Sequence, residues 1–458
     1  MSITDLSVRP TPGAPRAYTF PAFFSRVLPN GLRVVVAPVT KLPLVTVLAL
    51  VDAGSIADPA GQEGIAQLTA SLLSEGTGAL SGADLTELVE SMGSTLDSGA
   101  DWDSSVVKLT TLSSRLTDAL GLLARVLTEP TLSADEFQRL RTERMAELMQ
   151  LRSEPRALAD EALARAIYAP EARYARPDGG TDVSVQALTI EQVRAFYAAR
   201  YSPHVTTVVV VGDVAAEDGF AMVSRVLGDW VGAVPAPYAA PDAVQDVPRG
   251  VHIVRKADAP QTELRVGHVG PPRLTPDYFP LVMCNAILGG LFSSRLNLNL
   301  REEHAYTYGA HSGVDWRRGA GPFSMDAAVQ SDVTAAAIGE IMTEFDRIRT
   351  EPVSDSELSL ARSYLDGVFP IRFETTRAIA SALASLAIFG LPDDYYDTYR
   401  ANIRAVTADD ILRVAQAHLD PSKLQVVAVG DPDAISAPLA ALGLGAVTVT
   451  DAVDTLAT

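Results

Sequence analysis

Short segments from the first half of this 458-residue sequence recur in the second half in the same order. This repetition constrains the fold more than any other feature. Residues 127–136 read LTEPTLSADE, and residues 349–357 read RTEPVSDSE, 222 positions later. A second matching pair, residues 188–193 and 406–411, is offset by 218 positions. Short matches in one order at nearly constant spacing indicate an internal repeat. We infer two homologous halves that arose by duplication.

The repeat divides the chain into two domains, a number that suits its length. We predict a first domain over residues 16–234, a linker over 235–249 and a second domain over 250–450. The linker begins PAPYAAP, and proline-rich segments are extended and semi-rigid. We therefore expect the linker to hold the domains apart as the two halves of a clamshell.

Each half mixes strand patterns with helix patterns. Residues 32–37 and 44–50 are rich in β-branched and aliphatic side chains on either side of a Lys-Leu-Pro break, as expected of adjacent strands. Ser133 and Thr189 stand where helices begin and predict N-caps. The predicted fold class is α+β, with a mainly antiparallel sheet packed with helices in each domain. The other predicted strands are 105–112 and 205–211, and the predicted helices are 114–127, 134–151 and 189–199.

The charge balance restricts the partners of the chain. With 37 basic and 56 acidic residues the formal net charge is −19, so like-charge repulsion disfavours nucleic acid and anionic membrane surfaces. The sequence begins polar and proline-rich without an apolar signal segment, so we expect a cytoplasmic protein. Residues 434–450 carry no charge, but Pro438 and two glycines interrupt the tract, which predicts a last helix and strand rather than a membrane span. Cys284, the only cysteine, lies in an apolar run and is predicted to be a buried hydrophobe.

Residues 64–77, GIAQLTASLLSEGT, resemble the signature helix of the inverzincin peptidases, the pitrilysin, insulinase and mitochondrial processing peptidase family. The family helix carries H-x-x-E-H, in which two histidines one turn apart bind Zn²⁺ and the glutamate accepts a proton from the bound water. Here the three functional positions hold Gln67, Ala70 and Ser71. These side chains replace neither an imidazole ligand nor a general base, so we expect no metal and no other cofactor in this chain.

The family's third zinc ligand is a glutamate on a following helix, and the resemblance places Glu147 there. A single carboxylate binds zinc too weakly to fill the site, so we interpret Glu147 as an exposed or ion-paired helical residue. The six histidines offer no replacement, because none shows the i, i+4 spacing of a helical metal site. We expect each histidine at the surface or between the domains.

The second half resembles the C-terminal domain of the same family. Residues 300–309, LREEHAYTYG, follow a Gly-Gly-Leu-Phe-Ser-Ser segment, and Arg301 and Tyr308 match the family's arginine and the tyrosine seven residues later. In family members this pair reaches over a zinc site and holds the substrate backbone and the oxyanion at the scissile carbonyl. Tyr306 is the alternative if the register differs. The other interpretation is structural: Arg301 pairs with a surface acid and Tyr308 packs.

Residues 92–100, MGSTLDSGA, resemble the stretch that leads into the family's substrate-binding edge strand, where a peptide adds as a further strand. Asp97 and Ser98 stand where the family has asparagine and alanine. Backbone pairing tolerates this change, whereas recognition through these two side chains does not carry over.

The resemblance covers about residues 20–450 and implies a division of labour between two chains. We expect this chain to be the non-zinc-binding subunit of a heterodimeric zinc-dependent peptidase, with Arg301 and Tyr308 serving a paralogous H-x-x-E-H partner that cleaves peptides. Alone it is expected to be inert. The alternative is a catalytically silent scaffold or binding subunit, like the core proteins of the respiratory cytochrome complex. A self-sufficient metallopeptidase with an unrecognised site is a third hypothesis, which the metal content of the purified chain tests.

Overall fold

The computed structural model describes residues 17–238, 248–257 and 259–451. It contains two six-stranded sheets, one from each half of the described chain. Residue 16 and residues 239–247 of the predicted linker lie outside the described residues. The domain limits at 16–234, 235–249 and 250–450 therefore stay predictions, whereas two sheet-containing halves with mixed strands and helices confirm the α+β fold class.

The first half of the described chain alternates between strands and helices. Its strands are β1 (Phe24–Val27), β2 (Arg33–Pro38), β3 (Leu44–Val51), β4 (Gly76–Thr77), β5 (Leu80–Ser81), β6 (Thr95–Ala100), β7 (Ser105–Leu112) and β8 (Thr206–Gly212). Its helices are α1 (Ile65–Leu73), α2 (Gly82–Ser91), α3 (Leu116–Thr128), α4 (Ala134–Leu151), α5 (Pro155–Ile167), α6 (Asp182–Ala187), α7 (Ile190–Arg200) and α8 (Ala216–Leu227).

The second half repeats this order. Its strands are β9 (Gly250–Arg255), β10 (Gln261–Val269), β11 (Ala310–Val314), β12 (Pro322–Gln330), β13 (Gln425–Gly430) and β14 (Ala446–Asp451). Its helices are α9 (Tyr278–Asn285), α10 (Arg295–Asn297), α11 (Thr334–Thr350), α12 (Asp355–Val368), α13 (Thr376–Phe389), α14 (Tyr395–Ala405), α15 (Ala408–His418) and α16 (Pro432–Ala441). Two π-helical turns, Ala286–Gly290 and Leu298–Glu303, extend α9 and α10.

The strand orders show the duplication directly. The first sheet runs β1-β2-β8-β3-β7-β6, and the second runs β11-β12-β10-β13-β9-β14. Antiparallel pairs predominate in both sheets, as predicted. The expectation that β2 and β3 are neighbours is wrong, because the last strand of the half, β8, inserts between them, parallel to β2 and antiparallel to β3.

Both faces of the first sheet are buried at its central strands β2, β8 and β3, which explains why these strands are continuously apolar. Along β8, Val208 and Val210 face the helices of the first half, whereas Val209 and Val211 face the opposite side. That opposite side joins the hydrophobic core of the second half. Strands covered on both faces read as unbroken valine and leucine runs rather than alternating patterns.

One helix of each half lies on the sheet of the other half. Helix α13 packs on β3 and β8 of the first sheet, and helix α5 packs on β10 and β13 of the second. In α5, Leu158 and Leu163 are buried against Val427 and Val429. The expectation that the linker holds the domains apart is therefore wrong: the halves are in contact through exchanged helices because neither sheet covers both of its faces alone.

Several sequence predictions at the ends of elements are confirmed. Helix α4 has the predicted limits, and the Ser133 hydroxyl accepts a hydrogen bond from the Asp135 amide at 3.2 Å. Thr189 caps α7 by accepting from the Gln192 amide at 3.3 Å. The uncharged tract 434–450 forms most of α16 and β14, and Cys284 is buried.

The stretch Tyr278–Glu303 is long and apolar enough to cross a membrane by length and composition, and an 18-residue window within it has a mean hydropathy of 1.3. Within the protein, 61% of that window is buried. Leu281, Leu288 and Leu300 lie in the core of the second half. We therefore interpret the stretch as core helices of a folded domain.

We predict that Leu163→Ala lowers the free energy of unfolding by about 2–5 kcal/mol, since it removes a buried side chain and leaves a cavity. Leu163 is only 4% exposed in the helix exchanged onto the second sheet. Chemical denaturation followed by circular dichroism measures the loss, and both halves should unfold in one transition.

The matched control is Leu360→Ala in α12, where the leucine is 42% exposed. It should change the free energy of unfolding by less than about 0.5 kcal/mol. Two separate transitions, with only one of them moved by Leu163→Ala, would contradict the coupling of the halves.

Candidate functional site

Helix α1 keeps its place in the fold although its three motif positions carry no metal chemistry. Gly64 precedes the helix with a φ of 95°, a left-handed conformation that favours glycine, and a side chain there would meet the carbonyl oxygen of Gly179. Ala70 is fully buried, while Gln67 and Ser71 are half-buried. The helix packs against the first sheet and presents an amide, a methyl group and a hydroxyl at its three motif positions.

Glu147 lies on the exposed side of α4, as the sequence interpretation expected. Its side chain is 63% exposed and accepts a hydrogen bond from Arg144 Nη1 at 3.1 Å. No hydrogen bond or ion pair links Glu147 to a motif position of α1 in the part of the chain that the structure describes. Glu147 is thus a paired surface residue.

A positive charge lies beside the first motif position. Arg144 Nε donates to the Gly179 carbonyl at 3.1 Å. A Cβ atom added to Gly179 would lie 2.1 Å from Arg144 Nη2 and 2.7 Å from Gln67 Oε1, so the guanidinium and the amide crowd the same glycine. Within the described ranges no group of three His, Cys, Asp or Glu residues could hold a metal ion. These residues do not fit zinc, because they offer a cation and an amide where the metal needs anionic or imidazole ligands.

A buried carboxylate holds the start of α1. Asp58 accepts from the amides of Gly64 at 2.8 Å and Ala66 at 3.1 Å, and Arg173 pairs with it at 2.9 Å. Burial raises the pKa of Asp58 to about 6, against the opposing effect of the Arg173 charge. A carboxylate at a helix N-terminus also interacts favourably with the helix dipole. This cap explains why the helix persists without its motif.

The predicted edge strand is an edge strand in the structure, since β6 pairs only with β7 among the described strands. The Ser98 hydroxyl donates to Ser74 at the end of α1 over 3.0 Å. Asp97 is 58% exposed and lies 3.9 Å from Lys108 and 3.7 Å from Arg377 of the second half. A polar groove of about 440 Å³ lies between α2 and β6.

Arg301 lies in the π-helical turn before β11. Its guanidinium stacks over the Phe292 ring at 4.1 Å from the ring centre, and its nearest carboxylate, Glu302, is 3.6 Å away. The side chain is 30% exposed. The adjacent Glu302 is the surface acid that the structural interpretation expected, but the longer distance leaves the fork of the guanidinium available.

Tyr308 projects into solvent two residues before the edge strand β11. The residue is 95% exposed and its hydroxyl makes no hydrogen bond within the described chain. Tyr306, the alternative, is half-buried against the core and stacks on His304 with 5.0 Å between ring centres. The packing role considered for Tyr308 therefore belongs to Tyr306.

The structure does not bring the two sets of predicted site residues together. Arg301 and Tyr308 lie next to β11 of the second sheet, whereas Gln67, Ala70 and Ser71 lie on α1 against the first sheet. No hydrogen bond or ion pair joins the two sets in the described part of the chain.

Three neighbours of the site were not predicted from the sequence. Phe292 lies in the Gly-Gly-Leu-Phe-Ser-Ser segment, and an exposed phenylalanine there could have indicated a platform for Arg301. Arg144 lies three residues before Glu147, the spacing of an ion pair on a helix. Arg377 gave no sequence signal, because it meets Asp97 only through the exchange of α13.

Two buried groups near these elements have shifted pKa values. Burial raises the pKa of the Cys284 thiol to about 12, so it is not a nucleophile at neutral pH. Burial also raises the pKa of Glu161 in α5 to about 7, against the charges of Arg165 and Arg144. Glu161 Oε2 has no hydrogen-bond partner among the described residues.

His268 is buried, and its ring lies against Phe323 and Phe345 of the second half. The expectation of a surface or interdomain position is therefore wrong for this histidine.

We predict that Glu161→Gln stabilises the protein relative to wild type as the pH rises from 4.5 to 7. The folded-state pKa of Glu161 lies near 7, above its ordinary value of 4.5, so ionisation costs wild-type stability across this window. The relative gain should approach about 3 kcal/mol well above pH 7. Urea denaturation at several pH values measures it; a difference that does not vary with pH would refute the burial effect.

We predict that the triple variant Gln67→His, Ala70→Glu, Ser71→His binds less than about one tenth of an equivalent of zinc. The three substitutions restore the motif but leave Arg144 beside the site and the Glu147 side chain exposed to solvent. Inductively coupled plasma mass spectrometry after dialysis against zinc measures the content, with the wild-type chain as control. Stoichiometric zinc would show that only the three letters were lost.

Comparisons with known proteins agree with the two-domain fold and with the absence of the zinc-binding motif. A family model described as "Insulinase (Peptidase family M16)" matches residues 33–176, and one described as "Peptidase M16 inactive domain" matches residues 187–365. Together they cover more than half of the chain. An uncharacterized zinc protease of Mycobacterium bovis is 27% identical over 413 residues, which are 89% of this chain and 93% of the relative.

Two further proteins are similar over most of their length. A non-peptidase homolog of Helicobacter pylori is 23% identical over 392 residues, 84% of this chain and 88% of the relative. The crystal structure of a peptidase M16 inactive domain from Pseudomonas fluorescens superposes with a TM-score of 0.84 at 25% identity, covering 89% of this chain and 98% of that one. This chain therefore belongs to the M16 peptidase family and lacks the zinc-binding motif of that family.

Proposed function

We propose that this chain is the non-zinc-binding subunit of a heterodimeric zinc-dependent peptidase. In this proposal Arg301 and Tyr308 serve the active site of a paralogous partner chain that carries H-x-x-E-H. The chain alone is catalytically inactive, because its own α1 helix offers neither zinc ligands nor a base. Zinc in the partner supplies the polarised carbonyl and the activated water.

The observation that carries the proposal is the position of Tyr308. Tyr308 is 95% exposed, so the apolar surface of its ring lies in water and is not buried against the described residues of this chain. Its free hydroxyl can donate to an oxyanion on a molecule bound outside the chain. The unsatisfied side chain next to an edge strand supports a role across an interface.

Arg301 is held in a position that suits the same role. Phe292 is 73% exposed and supports the guanidinium from one face, which restricts the arginine without neutralising it. The charge can then align with a substrate backbone carbonyl or with an oxyanion. A donor placed where charge develops in the transition state contributes about 3 kcal/mol.

The first half supports the peptide as substrate class. Strand β6 has one unpaired backbone edge in the described sheet, to which an extended peptide can add. The adjacent groove carries Glu75, Glu90 and Asp97. An unstructured peptide is therefore the substrate that this surface fits best.

A silent scaffold is the second candidate. Asp97 is engaged by Lys108 and by Arg377 from the second half, so the edge strand carries ion pairs rather than a free recognition side chain. The Helicobacter pylori relative, a non-peptidase homolog, is also consistent with a subunit that takes no part in hydrolysis.

We predict that Tyr308→Phe lowers the peptidase turnover of the complex by about 10²–10³-fold, because one oxyanion donor is lost. Assembly should be unchanged, since the substitution removes only an unpaired hydroxyl. The rate is measured on the complex reconstituted from the two purified chains, and its mass is checked by light scattering.

The matched control is Tyr364→Phe, another exposed tyrosine, which lies on α12 and is 51% exposed. It should leave both turnover and assembly unchanged. Wild-type turnover in the Tyr308→Phe complex would reject the catalytic role and favour the scaffold.

A further inference from the structure

The second half contains an aromatic cavity that the proposed function does not use. Its volume is about 350 Å³, a size that suits a small molecule. It lies between the start of α9, the segment after β11, and helices α13 and α14. Trp316 follows β11, whereas Tyr308 precedes it, so the cavity lies at the other end of that strand. The aromatic residues that line it are Tyr278, Trp316, Phe369, Phe373, Phe389, Tyr395, Tyr396 and Tyr399.

One of its lining residues is a buried arginine without an acid partner. Of the buried arginines in the described chain, four pair with carboxylates: Arg265, Arg295, Arg317 and Arg400. Arg273 is only 7% exposed, and no carboxylate of the described residues lies within 4.0 Å of its guanidinium. Among those residues, no Asp or Glu lines the cavity. A buried cation without an anion is costly, so this position favours a negatively charged ligand.

The present contacts of Arg273 orient it without neutralising it. Nη2 donates to the Tyr395 hydroxyl at 2.7 Å, and the guanidinium stacks on the Tyr278 ring at 3.6 Å from the ring centre. Cation–π stacking offsets part of the cost of burial. The other N–H groups of the side chain make no hydrogen bond in the described chain. They remain available to bind a planar anion in two-point fashion.

A second guanidinium adds to the positive potential. Arg372 lines the same cavity from its exposed side. The nearby acid on the N-terminal side of α9, Asp277, is already paired with Arg413 at 2.9 Å and with His418 at 2.6 Å. The cavity therefore combines apolar rings, which bind a flat apolar body, with unneutralised positive charge.

We propose that this cavity binds a small aromatic carboxylate, with the ring among the aromatic side chains and the carboxylate on Arg273. A carboxylate matches the fork of one buried guanidinium. The site does not depend on the peptidase role, because it uses neither Arg301, Tyr308 nor a partner chain.

The test is calorimetric titration of the full chain at pH 7 with indole-3-acetate and with its uncharged analogue indole-3-acetamide. The acid should bind one equivalent saturably, at least tenfold more tightly than the amide. Equal affinity for the two, or no saturable binding of the acid at millimolar concentration, would overturn the proposal.

Substitutions place the binding in this cavity. Arg273→Met should weaken the acid at least tenfold and leave the amide unchanged, whereas Arg225→Met, on an exposed face of α8, should change neither. If circular dichroism shows that Arg273→Met does not fold, Ser385→Phe decides, because it fills the cavity from α13 and should abolish binding of the acid. Binding of the acid that survives both substitutions would refute the site.

Discussion

The exchange of α5 and α13 between the halves is the contact on which the rest of the structure depends. Each sheet buries one face against helices of its own half and needs the other half to cover the second face. Polar contacts fix the position: Arg265 of the second sheet pairs with Asp160 of α5 at 2.6 Å, and Thr46 bonds Thr376 of α13 at 2.9 Å. The two halves consequently form one body.

This packing limits where chemistry can occur. The α1 helix packs against the first sheet and the Arg301–Tyr308 pair lies next to β11 of the second sheet, and no hydrogen bond or ion pair joins them within the described residues. Gln67 of α1 and Arg144 of α4 lie beside the same glycine, Gly179. The arginine repels a divalent cation, and the neutral amide is a poor ligand for it. The exposed Tyr308 hydroxyl makes no hydrogen bond among the described residues. In the proposed heterodimer, an interface with a partner chain would account for both observations.

The sequence predicted the features that depend on local residue patterns and on the internal repeat. Duplication predicted two similar sheets, and Ser133 and Thr189 predicted helix starts, because a capping hydroxyl acts within three residues. The insertion of β8 between β2 and β3 could not be predicted from adjacency in sequence, since the pairing joins residues far apart in the chain. The exchange of α5 and α13 was missed for the same reason. The hydrophobic pattern of a helix predicts that one face is buried, but it does not predict which sheet that face covers.

The site followed the same division. The loss of the zinc ligands is evident from three residues of the sequence, Gln67, Ala70 and Ser71. The exposure of Glu147 was predicted correctly, because a single carboxylate without other zinc ligands is expected at the surface. The different burial of Tyr306 and Tyr308 could be seen only in the structure, because both tyrosines follow the same helix and only packing shows that Tyr306 turns inward. Arg273 carried no sequence signal, since an arginine is recognised as unpaired only when its neighbours in space are known.

The most direct test of the central claim is a pull-down of the tagged full chain from its own cells, with mass spectrometry of the retained proteins. The account predicts stoichiometric recovery of a chain of similar size that carries H-x-x-E-H. Recovery of this chain alone, or only of subunits unrelated to peptidases, would contradict it.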